Sequence, residues 1–339
     1  MPHNPETKMC NSTFGIVERH QWEILIHTLE KDPSAALRKN QTGCSLLHIL
    51  IDSISDDLEQ EGAITCVINI LKSVEGIHAT STKNRDGYTA LHHCCSKFVL
   101  EEILMLIARK NPFALGTKDN YGDTPLHKAL ENGMTDEPLQ SLMRLAYDNM
   151  NSNEQCCFST PNKEGNLPLH FAISHEGSSK VVATLLDIYP EGILSLNSEH
   201  MSPLFLASIC ERYDLIHVFL TSHATLGVDC IDTLLRIEGN TCETPLYTLW
   251  KNHTKESQGR GEDHLQYRSK ALDCIMSLLS AYFSNERSIL VSSTITELTA
   301  REILLVAISL GNNIVPPAFV LLLVTAHPSI LKMADSLSF

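Results

Sequence analysis

The stretch Tyr121-Gly122-Asp123-Thr124-Pro125-Leu126-His127-Lys128-Ala129 decides the fold of this chain. A threonine can cap the free amides at a helix N-terminus, and a proline at the first helical position loses no hydrogen bond. The Thr-Pro pair therefore predicts the start of a helix just after a glycine-bearing turn. Leu126 then begins an apolar face that residues three and four positions later should share. The stretch predicts a turn followed by a short amphipathic helix.

Related segments recur along the whole chain. The clearest copies begin at Gly87 and Gly165, and weaker copies begin at Gly43, Ser202, Thr244 and Ile303. The position occupied by His127 recurs at 48, 92, 127, 170, 205, 247 and 305, so that two of the gaps are 35 residues long. Self-similarity at a spacing of about 20–50 residues is typical of repeat proteins. The sequence therefore predicts an array of similar units.

The apolar face of the first helix is kept in every copy. Three positions per copy, equivalent to Leu126, Ala129 and Leu130, give 21 positions in the seven copies, and only Ser208 is polar. Each of the clear copies is followed by a second apolar stretch with helical periodicity: Leu100–Ile107, Leu139–Tyr147 and Val181–Tyr189. Each unit is therefore predicted to be a pair of helices that shares an apolar seam with its neighbours.

The Thr-Pro-Leu-His-x-Ala segment at Thr124 matches the signature of ankyrin repeats in full. The chain resembles the ankyrin-repeat family from about Phe14 to its end. The resemblance implies an all-α ankyrin-repeat solenoid of stacked helix–turn–helix units with short hairpin-like loops. At the N-terminus, the segment from Trp22 to Leu29 is expected to be a second helix that lacks a recognisable first one.

The expected domain organisation follows from this resemblance. Residues 1–13 are predicted to be a disordered tail, and residues 14–339 a single array of about six to eight units. The charged, glycine-bearing segment near 254–268 is predicted to be a mobile insertion, since such composition is typical of exposed loops. The segment 296–339 is predicted to be an atypical C-terminal unit.

Charge and composition exclude several classes of function. The chain has 26 Lys plus Arg against 40 Asp plus Glu, a net charge of −14, so neither nucleic-acid binding nor docking on an anionic membrane is expected. The most apolar stretch, 314–326, contains two prolines and is too short to span a bilayer. The first ten residues contain no secretion signal, and the 11 cysteines are odd in number. We therefore expect a cytoplasmic monomer with reduced thiols.

Two groups of residues raise the question of chemistry. The run His92-His93-Cys94-Cys95 contains zinc-ligand types, but consecutive helical residues diverge by about 100° and cannot converge on one ion. The histidines of the repeated motif are those of a general acid or base, but the family resemblance implies that they bond within and between repeats. These are His48, His92, His127 and His170. We expect no catalytic site, no metal and no cofactor, and hence no enzyme.

The resemblance implies a function in protein binding. In ankyrin arrays the loop tips and the exposed side of the first helices form a concave surface for partners. We predict a scaffold or adaptor for an unidentified protein, and acidic tips favour a basic or neutral partner. The alternative is a regulatory ankyrin segment of a larger enzyme or channel. The candidate contact residues are Arg85, Asp86, Tyr88, His93, Asp119, Tyr121, Lys128, Lys163, Glu164, Phe171, Glu199, His200 and Leu206.

Replacing Leu126 by Ala tests the predicted seam. If the side chain lies between neighbouring units, the substitution opens a cavity and should lower the free energy of unfolding by about 2–5 kcal/mol. Thermal melting measures the change. An unchanged midpoint would mean that the apolar face has been assigned to the wrong residues.

Overall fold

A computed structural model of the protein describes residues 13–56, 60–97, 100–149 and 157–226, together with Pro245, Thr248 and Leu249. The predictions for residues 1–12, 254–268 and 296–339 lie outside these described residues. Two compact units are present, unit 1 (Met1–Tyr189) and unit 2 (Pro190–Phe339). The single array over residues 14–339 stays a prediction.

Unit 1 is built from short helices that are numbered here in chain order. They are α1 (Trp22–Lys31), α2 (Leu46–Asp56), α3 (Gln60–Lys72), α4 (Gly76–Ser81), α5 (Ala90–Ser96), α6 (Glu101–Lys110), α7 (Pro125–Glu131), α8 (Asp136–Asp148), α9 (Pro168–Ser174) and α10 (Ser179–Ile188). Short 3₁₀ helices follow two of them, at Pro33–Leu37 and Pro112–Gly116. An isolated antiparallel bridge joins Lys39 and Ser45 in the first loop. The all-α fold class predicted from the sequence is confirmed.

The helices of unit 1 form two layers. The first helices of the repeats pack in the order α2, α5, α7 and α9, and the second helices pack in the order α1, α3, α6, α8 and α10. Three first helices, α2, α5 and α9, also pack on the second helices of their own repeats, which are α3, α6 and α10. These helices therefore bury one face against their own partner and further surface against neighbouring repeats.

The predicted apolar seam lies in the core of unit 1. Leu126, Ala129 and Leu130 are at most 3% exposed, and the equivalent residues of the copies at Leu47, Leu91 and Leu169 are buried as well. Removing these side chains from water is the main source of stability for helices of about seven residues, which are too short to be stable alone. The last two copies of the motif lie largely outside the described residues.

The expectation that α1 lacks a preceding first helix is wrong. Residues 13–18 are helical, and Phe14 and Val17 in this segment are buried. Thr13, assigned to the disordered tail, is itself helical and buried. The segment carries no Thr-Pro-Leu-His signature, so only its burial reveals it as part of the fold.

The same pattern of hydrogen bonds closes each loop between repeats. In each loop an Asn or Asp side-chain oxygen accepts backbone N–H groups two and four residues later, as in an Asx turn. In the loop after α4, for example, Asn84 Oδ1 accepts from Asp86 and Tyr88, both at 2.9 Å. We call these acceptors the hub residues; in unit 1 they are Asn40, Asn84, Asp119 and Asn162.

The residue three positions after each hub has a left-handed backbone. In unit 1 this residue is always glycine, with φ between 75° and 84° at Gly43, Gly87, Gly122 and Gly165. Glycine adopts this conformation without steric cost, which explains the glycine before each motif. An added Cβ at Gly87 would also lie 2.7 Å from the backbone nitrogen of Asn120 in the next loop. Neighbouring hairpin loops are therefore stacked closely at this point.

Unit 2 contains a related pair of helices. A 3₁₀ helix at Pro190–Leu194 precedes α11 (Pro203–Ile209) and α12 (Tyr213–Leu226), and α11 packs on α12. Its hub residue is Asn197, and His200, with φ 58°, occupies the left-handed position that is glycine elsewhere. Ser202 replaces the capping threonine and accepts a hydrogen bond from the Phe205 amide. No described helix in either unit is long and apolar enough to cross a membrane.

Trp22 and Gly62 form a close contact between α1 and α3. A Cβ atom added at Gly62 would lie 2.8 Å from the Cβ of Trp22 and closer still to its indole ring. Glycine is normally destabilising inside a helix by roughly 1 kcal/mol relative to alanine. At this position the missing side chain instead makes room for the indole.

The double-mutant cycle of Gly62→Ala and Trp22→Ala tests this contact. In the natural background Gly62→Ala should lower the free energy of unfolding by about 1–3 kcal/mol, because the new methyl group overlaps the indole. In the Trp22→Ala background the same change should be neutral or stabilising. Urea denaturation of the four proteins measures both effects, and stabilisation by Gly62→Ala in the natural background would refute the contact.

Candidate functional site

The motif histidine of each repeat in unit 1 is anchored at the start of its own helix. His127 Nδ1 lies 3.2 Å from the Thr124 amide and 2.8 Å from Thr124 Oγ1. His92 makes the same contacts with Thr89 at 3.2 and 2.8 Å. These contacts satisfy the amide at the N-cap, which no helical carbonyl can reach. The histidine thus holds the backbone turn that leads into the helix.

The other ring nitrogen of the motif histidine reaches the next repeat. His48 Nε2 lies 2.9 Å from the carbonyl oxygen of Tyr88. His92 Nε2 lies 3.0 Å from the carbonyl oxygen of Asp123, and His127 Nε2 lies 3.0 Å from that of Asn166. A carbonyl can only accept, so each Nε2 carries the proton and donates it. The sequence interpretation of these histidines as residues that bond within and between repeats is confirmed.

Burial keeps these three histidines neutral. It lowers the pKa of His48, His92 and His127 to about 4, even though the bond from Nε2 to the carbonyl acts in the opposite direction. All three side chains are fully buried. The imidazoles are therefore inaccessible and uncharged at neutral pH, which suits a structural role and not proton transfer to a substrate.

The run His92-His93-Cys94-Cys95 is divided among different surroundings. His92 is bonded to the next repeat, and Cys94 and Cys95 lie in the core, where burial raises their pKa values. His93 Nε2 lies 2.9 Å from Asp52 Oδ1 on the preceding first helix. Among the described residues, no group of three His, Cys, Asp or Glu side chains is placed to hold a metal ion.

The structure places most of the predicted contact residues at the surface. Tyr88, His93 and Phe171 are half-buried, and Tyr121 is 60% exposed. The exposed residues of the loop tips are Arg85, Asp86, Lys163 and Glu164 in unit 1, with Glu199 and His200 in unit 2. We call the surface of Tyr88, His93, Tyr121, Lys128 and Phe171 in unit 1 the loop and first-helix face.

Three of the predicted contact residues are buried, so the prediction that their side chains are exposed is wrong. Asp119 is drawn inward because its Oδ1 accepts the amides of Tyr121 and Asp123 as the hub of its loop. Leu206 is only 8% exposed, since an apolar side chain gains free energy when it leaves water. Lys128, with a residue exposure of 6%, is held by carboxylates.

Lys128 stands at the centre of a compact charged cluster. Its Nζ lies 2.8 Å from Glu131, 2.9 Å from Asp123 and 3.8 Å from Asp119. Burial alone would lower the pKa of Lys128, but the hydrogen bonds to Glu131 and Asp123 outweigh it and raise the pKa above its ordinary value. The lysine therefore stays charged while it is enclosed.

Two tyrosine rings complete this cluster. The Lys128 ammonium lies 5.5 Å from the centroid of the Tyr88 ring and 5.6 Å from that of Tyr121, within the range of cation–π contacts. The Tyr88 ring is also stacked on His92. These contacts hold both tyrosine rings in a defined orientation. They also join the loop, which carries Tyr121, to the helix, which carries Lys128.

Phe171 occupies the Lys128 position of the following repeat. Its ring meets His127 edge-on at 5.1 Å and lies stacked on His175 at 5.1 Å. His175 and Glu131 belong to this surface and the buried Asp123 lies beneath it, but none of the three was among the residues predicted from the sequence. Their spacing from the motif would have indicated Glu131 and His175, because residues three and four positions apart meet on a helix.

Comparison with known families fits this geometry. Residues 39–148 match the family model for ankyrin repeats in three copies. Residues 39–148 contain three ankyrin repeats. The match covers the loops, capping threonines and bonded histidines described above from α2 to α8.

A solved structure has the same fold as these ankyrin repeats. The crystal structure of the ankyrin repeat domain of Bcl-3, described as a unique member of the IkappaB protein family, aligns with a TM-score of 0.51. The identity is 18%, and the alignment covers 70% of this chain and 92% of the Bcl-3 domain. At this identity the similarity concerns the fold alone. A search of curated proteins finds no match.

The buried histidines make the stability of the repeats dependent on pH. Their folded pKa of about 4 lies below the unfolded value of 6.5, so the unfolded chain binds more protons between these limits. The free energy of unfolding should hold above pH 6.5 and fall by at most about 1.4 kcal/mol per pH unit per histidine as the pH drops toward 4.

Urea denaturation at several pH values measures this slope. The range runs from about pH 7.5, about one unit above the ordinary histidine pKa, to about pH 4, the pKa in the folded protein. His92→Gln removes one titrating group and should make the slope shallower, whereas His78→Gln, at an exposed position in α4, serves as the matched control. Equal slopes for natural protein and His92→Gln would contradict a neutral buried imidazole.

Proposed function

We propose that the chain is a non-enzymatic scaffold or adaptor that binds a protein partner through the loop and first-helix face. Ankyrin repeats generally mediate protein–protein interactions, and this is the coarse function that the family match supports. The single observation that carries the finer proposal is Tyr121, an aromatic side chain that is 60% exposed and yet fixed against the Lys128 ammonium.

An exposed aromatic residue with a fixed orientation suits an interface. Aromatic residues are enriched among those that contribute most to binding, and side chains that are already ordered lose little entropy on binding. The neighbouring Phe171 ring is held between two imidazoles, His127 and His175. The face therefore offers preformed apolar contacts surrounded by polar loop tips, the arrangement typical of a binding surface.

The residues proposed to form the binding surface are those indicated by the sequence, and they fall into two groups. The exposed and half-buried members would touch the partner directly, whereas Asp119 and Lys128 would support the tyrosines from beneath. Glu199, His200 and Leu206 belong to unit 2 and are proposed only as contacts of that unit. We further propose that the partner is a protein and not a nucleic acid, and that the chain does not insert into a membrane. We also propose that the protein is a cytoplasmic monomer. The net charge of −14 supports the exclusion of nucleic acid.

Affinity capture with mass spectrometry tests this function. The natural protein is compared with a Tyr121→Ala/Phe171→Ala variant and with a Phe113→Ala/Tyr147→Ala control. The control removes two aromatic rings that are 71% and 55% exposed but lie outside the loop and first-helix face. Tyr88 is left unchanged because its ring is stacked on the structural His92.

A partner of the proposed kind should be captured by the natural protein and the control and lost with the Tyr121/Phe171 variant. A hot-spot residue contributes about 2 kcal/mol or more, so the affinity should fall by roughly thirtyfold. Circular dichroism and thermal melting must show that the variant remains folded. Loss with the control and retention with the Tyr121/Phe171 variant would locate binding elsewhere and overturn the proposal.

A further inference from the structure

Three lysines of unit 1 form a row along the bases of the hairpin loops. Lys39, Lys83 and Lys118 each stand directly before the hub residue of their loop. Lys39 Nζ donates to the Lys83 carbonyl at 2.6 Å, and Lys83 Nζ to the Lys118 carbonyl at 2.7 Å. Lys118 Nζ donates to the carbonyl of Pro161, which has the same place in the next loop, at 2.7 Å. We call this row the lysine ladder.

The hydrogen bonds of the ladder fix the positions of the ammonium groups. A lysine side chain normally moves among many rotamers, and binding must order it. In the ladder each side chain is already extended along the stack toward the next loop, and Lys39 and Lys83 are exposed to solvent. An anionic ligand would therefore meet a row of ordered cations at a low entropic cost.

The charge of the ladder stands apart from that of the chain. The whole protein has a net charge of −14, but none of the ion pairs within the described residues involves Lys83 or Lys118. A carbonyl acceptor orients an ammonium group without neutralising it. Arg85, an exposed residue, adds a further cation to the loop that follows Lys83. The bases of the loops in unit 1 are thus basic, whereas the tips also carry the exposed carboxylates of Asp86 and Glu164.

We propose that the lysine ladder binds an extended acidic segment of the protein partner. This inference rests on the proposed function and names the chemistry of the partner. Helices in contact lie about 9 Å apart, so lysines one repeat apart should have a similar spacing. A polyproline II segment advances about 3.1 Å per residue with three residues per turn, which places every third side chain on one face at about the same interval. A carboxylate at every third residue would match the ladder.

A nucleic acid is the other polyanion that ordered lysines could hold. The observations favour the peptide, because the strongly negative chain would repel a long uniform phosphate backbone more than a short segment with a few carboxylates. The nucleic acid is therefore an outcome that the test must separate from the peptide.

Fluorescence anisotropy with a labelled peptide of four Glu-Pro-Pro repeats tests the proposal on the full chain. The Lys39→Gln/Lys83→Gln/Lys118→Gln variant should bind about tenfold more weakly than the natural protein, since each exposed ion pair contributes modestly and three are lost. The matched control, Lys31→Gln/Lys72→Gln/Lys180→Gln, removes the same charge from exposed lysines on second helices and should change the affinity less than about twofold. Added salt should weaken the binding.

Two further arms make the result specific. A peptide of four Lys-Pro-Pro repeats should not bind at the ladder, and Lys83→Arg should keep most of the affinity that Lys83→Gln loses. The single variants keep the test usable if the triple variant does not fold. Equal binding of the Glu-Pro-Pro peptide by the ladder variant and its control would overturn the proposal. So would a labelled single-stranded oligonucleotide that binds more tightly than the peptide and depends on the ladder.

The failure of this proposal is distinct from that of the proposed function. The capture experiment changes Tyr121 and Phe171 and leaves the lysines intact. Partner loss there, combined with equal peptide binding by ladder and control variants, would retain the interaction face and remove the ladder from it.

Discussion

The bond from a buried imidazole N–H to a carbonyl of the next repeat is the interaction on which unit 1 depends. It spans 40 residues from His48, 31 from His92 and 39 from His127. The same ring fixes the turn into its own helix through Nδ1. One side chain therefore sets both the start of a helix and its distance from the neighbouring loop. A buried N–H left without an acceptor would cost about 1–3 kcal/mol, more than a typical hydrogen bond contributes to stability.

This constraint explains why the sequence predicts so much of the fold. The four residues of the Thr-Pro-Leu-His segment provide a helix cap, a helix start, an apolar contact and a hydrogen bond between repeats. Each of these roles requires a particular residue type, which can be recognised in the sequence. The first helix at residues 13–18 has none of these types, so its helical periodicity alone could not distinguish it from a tail.

The candidate site was less predictable, because exposure depends on partners that sequence position does not reveal. Lys128 stands at a solvent position of the motif, and only the three carboxylates around it explain why it is enclosed. Asp119 shows the same difficulty, since a loop aspartate is normally exposed unless the backbone of its own turn captures it. The exposure of Tyr121 was predicted correctly, since its side chain at the loop tip is 60% exposed.

The hairpin that follows each histidine belongs energetically to the repeat before it. A fragment of the chain that stopped between α8 and Asn166 would contain all of the fourth pair of helices and still lack the carbonyl to which the His127 imidazole donates. The unit that folds cooperatively therefore includes the hairpin loop after its second helix. Its boundaries do not coincide with those of a helix pair. Segments meant to fold independently, or to be exchanged with those of other repeat proteins, should be divided after a hairpin and not before it.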